Sequence, residues 1–357
     1  MSDLPESELV DEITLNQVHS GDGTSASIVF KFNDNQIGVS IFPSNGTSTN
    51  DTQHLDFEER PLQDQFIDIL SRATMCEDYQ EFDRLVDEVL DVILDAGRPL
   101  FSGQMTVTHH DQSLNRFLFP PTLYFRLEAP GSCASIVPIH PSESSITLYA
   151  DSKLNENFVE ELQVRQDLPR FTPDEVIVTK PFLRGASRIT AAVRSRGREM
   201  FCKARGGPNG LYGTRVGREL ECLGEMLKAF PEPGMIQVPQ MIGYVHHKDT
   251  GLVLGFLREW VPGCRLSEVD VTTSTPQNRQ KWILQISQTI ERLHEHGIVW
   301  GDGQPNNVVI DDKDDAWLIE FGGATTKGWV DAELADTMDG DKQALGRIIE
   351  LLCPGEG

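Results

Sequence analysis

The sequence predicts an α+β protein of two parts: a two-lobed α+β domain, preceded by a separate α+β N-terminal region. Apolar residues alternate in several short segments, as in half-buried strands, and recur at three- and four-residue spacing in longer segments, as in amphipathic helices. From residue 174 onward the predicted order is three strands, one helix, two strands and then helices. Strands and helices that follow each other in blocks are typical of the α+β class.

The chain is strongly acidic, and the charge is concentrated in its first part. The 357 residues carry a formal net charge of −24, and residues 1–100 contain 21 acidic and five basic side chains. Such a surface repels the phosphates of nucleic acids and of anionic lipids. We therefore expect neither nucleic acid nor a membrane as a partner. The plainest role of the excess acid is to keep the protein soluble.

The cysteines and the first residues of the chain indicate the cellular compartment in which the protein is expected. The six cysteines are scattered, without a C-x-x-C pair or a metal-ligand spacing, which favours free thiols in a reducing compartment. Residues 1–13 lack the apolar segment of a signal peptide, and no stretch approaches the roughly 18 apolar residues of a membrane helix. We expect a soluble intracellular protein, cytoplasmic or nuclear.

The N-terminal region contains two clear predicted strands and one clear predicted helix. The strands, at residues 27–32 and 37–42, are separated by a short polar turn. The helix is predicted from apolar residues at helical spacing between residues 82 and 94, with acids on the opposite face. Gly97 and Pro99 are expected to end this helix, because both residues disfavour helix interiors.

A domain boundary is predicted near residue 172, where a proline-containing segment is expected to act as a linker. Residues 1–172 then form an acidic α+β region of unknown role, since none of their segments carries a motif with a chemical function. Residues 173–357 form the second domain. Its N-terminal lobe is expected at 174–260 and its C-terminal lobe at 261–357.

The second domain begins with three predicted strands, in which glycines occupy the connecting loops. A long helix later in the domain carries Trp282, Ile286 and Ile290 on one apolar stripe. The predicted elements are strands at 176–183, 189–196 and 199–204, a helix at 215–229, strands at 240–247 and 252–260, and a helix at 277–296.

The strongest motif lies at residues 299–323, VWGDGQPNNVVIDDKDDAWLIEFGG. Asp302 and Asn307 are five residues apart, and Glu320 follows after two strand-like runs joined by an acidic turn. This spacing brings two carboxylates and one amide to a single point. Such a cluster suits phosphoryl transfer, in which positioning and electrostatic stabilisation supply most of the catalysis. The alternative is a turn into a strand, flanked by solvated acids.

The same segment resembles the catalytic loop and the metal-binding loop of protein kinases. Trp300-Gly301-Asp302 stands for the H-R-D motif, Asn307 lies where the family asparagine belongs, and Glu320-Phe321-Gly322 stands for D-F-G. The resemblance implies that Asp302 accepts the proton of the attacking hydroxyl. It also implies that Asn307 and Glu320 hold Mg²⁺ on the phosphates of ATP.

Within the protein-kinase-like superfamily, the sequence is most similar to a group of fungal proteins with a W-G-D catalytic loop. The residues that carry this similarity lie at 297–302, 320–323 and 328–331. The N-terminal region resembles no family in this way.

Further matches to the kinase pattern occur in the expected order. Lys203 lies in the third strand, where the family places the lysine that contacts the α- and β-phosphates of ATP. Glu219, on the next helix, is the implied partner of Lys203, and Glu221 is a rival for that role. The helix at 340–352 resembles the one whose buried aspartate supports the catalytic loop, and Asp341 would be that aspartate.

The segment FLREWV ends a predicted strand and precedes a Pro-Gly pair. It resembles the hinge between the two kinase lobes. The resemblance implies that backbone groups of Glu259, Trp260 and Val261 bind the adenine of ATP. A plain edge strand is the alternative.

The sequence also departs from the kinase pattern. Glu320 replaces the metal-loop aspartate, and its extra methylene displaces the carboxylate from where Mg²⁺ requires it. Gln304 stands where kinases usually carry lysine, and the segment LRGASRIT contains a single glycine. Only 18 residues separate Gly322 from Asp341, and the later helices of the C-terminal lobe are missing, so we expect a truncated lobe.

Three hypotheses about function follow. The first is an ATP-dependent phosphotransferase of protein-kinase type that transfers the γ-phosphate to a hydroxyl of an unknown protein or small-molecule substrate. The second is a nucleotide-binding pseudokinase that acts as a scaffold, because Glu320 and Gln304 depart from the pattern. The third is a structural remnant that binds no nucleotide.

Overall fold

The computed structural model is α+β, with three sheets and six α-helices in the part of the chain that it describes. The chain divides into two compact units, the first formed by residues 1–111 and 119–152 and the second by residues 112–118 and 153–357. The described residues are 11–20, 24–33, 35–44, 57–76, 78–103, 112–129, 133–146, 165–185, 188–206, 210–211, 214–323 and 326–353.

The first unit contains a five-stranded sheet in which neighbouring strands in sequence are also neighbours in space. The β3–β4 pair is parallel, and the other pairs are antiparallel. The two strands predicted in this region, β2 and β3, are confirmed. The strands are β1 (Ile13–Ser20), β2 (Ala26–Phe32), β3 (Asn35–Ile41), β4 (Thr122–Glu128) and β5 (Ser135–Pro138).

Two helices, α1 (Leu62–Thr74) and α2 (Tyr79–Gly103), pack with this sheet around one apolar core. The prediction that α2 ends at Gly97 and Pro99 is wrong, because Pro99 lies inside the helix. The continuation places Phe101 in the core, fully buried and in ring contact with three other phenylalanines. Gly97 leaves the room for this ring, since a Cβ there would lie 2.2 Å from it. Burial of an aromatic ring opposes the cost of the interior proline.

The second unit includes a short segment that is distant in sequence from the rest of it. Helix α3 (Leu114–Leu118) packs against the turn at Pro173–Glu175 and against the strand at Arg188–Ser195. The N–H of Leu114 donates to the carbonyl of Val176 at 2.7 Å, and the N–H of Val178 donates to the carbonyl of Gln112 at 2.8 Å. Both leucines of α3 are buried.

A six-stranded sheet forms the first part of the second unit, in the order β6-β10-β11-β9-β8-β7. Only the β6–β10 pair is parallel. Helix α4 (Arg215–Ala229) follows β9 and packs against β10. The five strands and the helix predicted here are confirmed. The strands are β6 (Arg170–Phe171), β7 (Ile177–Gly185), β8 (Arg188–Ser195), β9 (Arg198–Arg205), β10 (Met241–His246) and β11 (Val253–Glu259).

The remainder of the second unit is a small sheet with two helices. The strands are β12 (Gly263–Arg265), β13 (Val308–Asp311) and β14 (Ala316–Leu318), and the helices are α5 (Pro276–Glu295) and α6 (Met338–Leu352). Helix α5 packs against α6 and β14, and the predicted helix at 277–296 is confirmed. Both β6 and α3 lie before residue 173, although they belong to the second unit. The boundary at residue 172 stays a prediction.

Among the described residues, no helix has both the length and the apolar character that crossing a lipid bilayer requires.

Candidate active site

A buried ion pair between β9 and α4 forms the centre of the candidate site. The Nζ of Lys203 donates to Oε2 of Glu219 at 2.5 Å, and the two residues are only 7% and 2% exposed. This contact places the Lys203 side chain on the face of β9 that is turned toward helix α4. Glu221, the other candidate partner, is exposed. The structure therefore pairs Lys203 with Glu219.

Glu320 contributes a second carboxylate to the same ammonium group. Its Oε2 accepts a hydrogen bond from Lys203, and its side chain is 34% exposed, which makes it the most accessible member of the cluster. The backbone of Glu320 has φ of +66°, in the left-handed region that non-glycine residues rarely adopt. Such strained residues are concentrated at functional sites. In this structure the carboxylate that the kinase resemblance assigns to Mg²⁺ contacts Lys203.

The pKa of the Glu219 carboxyl is raised from its ordinary value despite the hydrogen bond from Lys203. Burial raises the pKa of Glu219, and the nearby negative charge of Glu320 raises this pKa further, while Lys203 acts in the opposite direction. A buried carboxylate loses its hydration and depends on its hydrogen-bonded cation for compensation. The cluster is therefore sensitive to any change in its charges.

Asp302 lies in the loop between α5 and β13, and neutral donors surround its carboxylate. The side-chain amide of Asn307 donates to the backbone oxygen of Asp302 at 2.8 Å and to its Oδ2 at 2.9 Å. The amide of Gln304, at 3.1 Å, and the hydroxyl of Thr326, at 3.2 Å, both donate to Oδ1. These hydrogen bonds, all from neutral groups, fix the direction of the carboxylate.

The loop that carries Asp302 is fastened to helix α6 by Asp341. The carboxylate of Asp341 accepts the backbone N–H groups of Trp300 at 2.8 Å and Gly301 at 2.9 Å. It also lies 2.9 Å from Nε2 of His294, and it is only 2% exposed. The predicted contact between Asp341 and this loop is confirmed. A buried carboxylate with three hydrogen-bond partners holds the loop rigidly.

Two further contacts join the loop to the residues before Glu320. The indole Nε1 of Trp300 donates to the carbonyl of Ile319 at 2.9 Å, and the N–H of Ile319 donates to the carbonyl of Asn307 at 3.0 Å. Strands β13 and β14 pair antiparallel, so the chain before β13 and the chain after β14 meet at one end of the hairpin. The hairpin thus brings Asn307 and Glu320 close together.

In the predicted hinge, the backbone N–H and carbonyl of Glu259 both form hydrogen bonds within the protein. The N–H of Glu259 donates to the carbonyl of Gln240 at 2.9 Å, and the carbonyl of Glu259 accepts from Nη1 of Arg258 at 3.1 Å. The ring of Trp260 stacks with those of Phe182 and Phe201, at centroid distances of 5.4 and 6.4 Å. Within the predicted hinge, both backbone groups of Glu259 are therefore engaged inside the protein.

Arg258 was not predicted as a site residue, although it is the most unusual side chain near the cluster. It is 4% exposed and lies opposite Phe201 in the β9–β11 ladder, with its guanidinium 3.8 Å from the centroid of that ring. Burial lowers the pKa of Arg258, and the charges of Glu219 and Glu320 oppose this effect. A charged residue inside an otherwise apolar strand was the sequence signal for it.

Asn307, Glu320 and Lys203 are the residues that would hold the Mg²⁺ and the ATP that the kinase resemblance implies. In nucleotide sites Mg²⁺ takes one or two protein carboxylates together with phosphate oxygens. The oxygen atoms of Asn307 and Glu320 are suitable donors, and Lys203 is a suitable cation for phosphate. Among the described residues, no three His, Cys, Asp or Glu side chains form a group that could hold a metal ion.

The chain matches no model of a known protein family and no curated protein sequence. Its function is therefore inferred from the contacts of its own residues.

Proposed function

We propose that the second unit is a protein-kinase-like domain that binds ATP and transfers its γ-phosphate to a hydroxyl of a protein or small-molecule substrate. The single observation that carries this proposal is the buried Lys203–Glu219 pair, with Glu320 at the same ammonium group. A lysine held by a helix glutamate beside a metal-loop carboxylate is the arrangement that protein kinases need for activity.

The arrangement of the second unit supports a two-lobed domain. The six-stranded sheet with α4 would form the N-terminal lobe, and the small sheet with α5 and α6 would belong to the C-terminal lobe. The segment at 259–261 follows the last strand of the large sheet and would connect the lobes. ATP would then lie between the lobes, with its adenine at this segment and its phosphates at Lys203.

The proposed chemistry uses the carboxylates of Asp302 and Glu320, both of which are partly exposed. Asp302 would accept the proton of the attacking hydroxyl while its carboxylate is held by Asn307 and Thr326. Lys203 would hold the α- and β-phosphates once Glu320 has released its ammonium group. Asn307 and Glu320 would hold Mg²⁺, which when bound neutralises charge on the phosphates.

A second candidate function is a nucleotide-binding pseudokinase that acts as a scaffold. One observation favours it. Glu320 bonds to Lys203, a contact that must break before the carboxylate can hold a metal ion.

ATP turnover by the full chain separates these functions. The wild type is compared with Asp302→Ala and Glu320→Asp, and Asp312→Ala serves as the control, because Asp312 is an exposed acid of the neighbouring turn. If the protein is a phosphotransferase, Asp302→Ala should abolish ATP turnover and Asp312→Ala should leave it unchanged. Glu320→Asp should increase turnover, because the shorter side chain restores the metal geometry. If neither the wild type nor Glu320→Asp turns over ATP, the pseudokinase hypothesis replaces the phosphotransferase hypothesis.

A further inference from the structure

An ion pair outside the lysine cluster joins α4 to the chain that follows the metal loop. Nη1 of Arg218 donates to Oδ2 of Asp336 at 2.7 Å, and the two side chains are 38% and 40% exposed. Arg218 is the residue immediately before Glu219. Asp336 lies two residues before helix α6 and has φ of +56°, an uncommon backbone conformation for an aspartate. The pair thus connects the element that carries Glu219 to the segment between Gly322 and Asp341.

Two glycines make the space for this pair. A Cβ at Gly323 would lie 2.0 Å from Nη1 of Arg218 and 2.6 Å from Oδ1 of Asp336. A Cβ at Gly301 would lie 2.9 Å from the same Asp336 oxygen. Both glycines have positive φ, and they belong to the loops of Glu320 and Asp302, respectively. The pair is therefore packed against both loops of the candidate site at once.

The chemistry of the pair is the chemistry by which a phosphorylated residue orders a segment. A phosphate or a carboxylate that accepts a charge-assisted hydrogen bond from an arginine can fix a loop in place. In protein kinases this ordering controls whether the lysine–glutamate pair and the metal-loop carboxylate are in position. Here an aspartate supplies the negative group, and no modification is required for the contact.

From these contacts we infer that Arg218 and Asp336 form a built-in clamp, which holds α4 and the two loops in position for nucleotide without phosphorylation. The inference rests on the proposed function, because it concerns the same ATP site. Arg218 and Asp336 are positioning residues. They act through Glu219 and the two loops, and the clamp makes nucleotide binding independent of an activating kinase.

The test is the affinity of the full chain for Mg·ATP, measured by isothermal titration calorimetry. The variants are Asp336→Asn, Arg218→Gln and the charge-exchanged double variant Arg218→Asp/Asp336→Arg. Asp339→Asn is the matched control. Asp339 lies three residues after Asp336, and its carboxylate pairs with the exposed Lys342. Wild-type protein is also measured after phosphatase treatment.

Each single variant should raise the Kd for Mg·ATP by about two- to 30-fold, the range expected for residues that modulate a site through its neighbours. The charge-exchanged variant should recover most of the affinity, which a merely structural role of either residue would not predict. Asp339→Asn and phosphatase treatment should leave the Kd unchanged.

Three results would overturn the clamp while the proposed function stands: unchanged affinity in Asp336→Asn, no recovery in the charge-exchanged variant, or weaker binding after phosphatase treatment. If the wild type binds no ATP, the proposed function fails and the clamp fails with it. Unfolding temperatures without nucleotide are recorded for every variant, so that loss of fold is not mistaken for loss of binding.

Discussion

The ammonium of Lys203 lies 2.5 Å from a carboxylate oxygen of Glu219, sixteen residues further along the chain, and both side chains are buried. A buried ion pair is not by itself a source of stability, because both charges lose their hydration. Removal of one partner, however, leaves the other charge buried without compensation. The pair is therefore expected to be costly to break and to exist for a functional reason.

Glu219→Ala should destabilise the protein. The change removes a buried acceptor of the Lys203 ammonium, which a glutamine would largely replace, and a buried donor left without its acceptor costs about 1–3 kcal/mol. Glu221→Ala is the matched control, because Glu221 lies on the same helix but is exposed, so its effect should stay within about 0.5 kcal/mol. Chemical denaturation of the two variants measures the difference. Equal effects would show that the pair is not buried in solution.

The pH dependence of stability should carry the signature of Glu219. Its pKa is raised from the ordinary value of 4.5, chiefly by burial, so folding favours the protonated form. The stability that protonated Glu219 contributes to the fold is fully present below the ordinary pKa. It is lost as the pH rises through the raised pKa. As the pH rises above 4.5, the wild type should therefore lose more stability than Glu219→Gln. Parallel curves of unfolding temperature against pH would contradict this assignment.

Arg258 should contribute to stability by its charge and by its planar shape. Arg258→Met removes a buried cation whose charge acts on Glu219 and Glu320 and leaves the carbonyl of Glu259 without its donor, so it should destabilise the protein by about 1–3 kcal/mol. Arg258→Lys keeps the charge but loses the flat contact with the ring of Phe201, so its cost should be intermediate. Arg205→Met, at the exposed end of β9, is the control. If the methionine variant at 258 is as stable as the wild type, the cluster does not need this cation.

Helix α3 should be necessary for the stability of the second unit. Leu114 is fully buried there, and buried leucine-to-alanine changes cost about 2–5 kcal/mol. Leu114→Ala in the full chain should therefore increase hydrogen exchange in β7 and β8. Leu284→Ala, on an exposed position of α5, should leave exchange in these strands unchanged. Unchanged exchange in Leu114→Ala would show that the segment is dispensable.

The sequence predicted those elements in which local pattern and tertiary environment agree. The strands around Lys203 and helix α4 follow from the spacing of apolar residues and from glycines in the connections. Pro99 was misinterpreted because the gain from burying Phe101 depends on residues of β2 and β4, which no local pattern reveals. Strand β6 and helix α3 were not predicted, since both are short and are stabilised by partners distant in sequence.

The same distinction holds for the candidate site. Lys203, Glu219, Asp302 and Asn307 were predicted because ordered motifs point to them, and the structure brings them into the contacts described. The Arg218–Asp336 pair joins residues 118 positions apart and has no motif. The contact between Glu320 and Lys203 also depends on the folded geometry, since spacing alone assigns that carboxylate to a metal ion.

Calorimetric titration of the full chain with Mg·ATP tests the central claim most directly. The wild type should bind, and Lys203→Met should weaken binding by at least about tenfold, which corresponds to about 1.4 kcal/mol. Lys248→Met, the loss of an exposed lysine after β10, should bind as the wild type does. No heat of binding in the wild type, or equal affinity in Lys203→Met, would contradict a nucleotide site at Lys203.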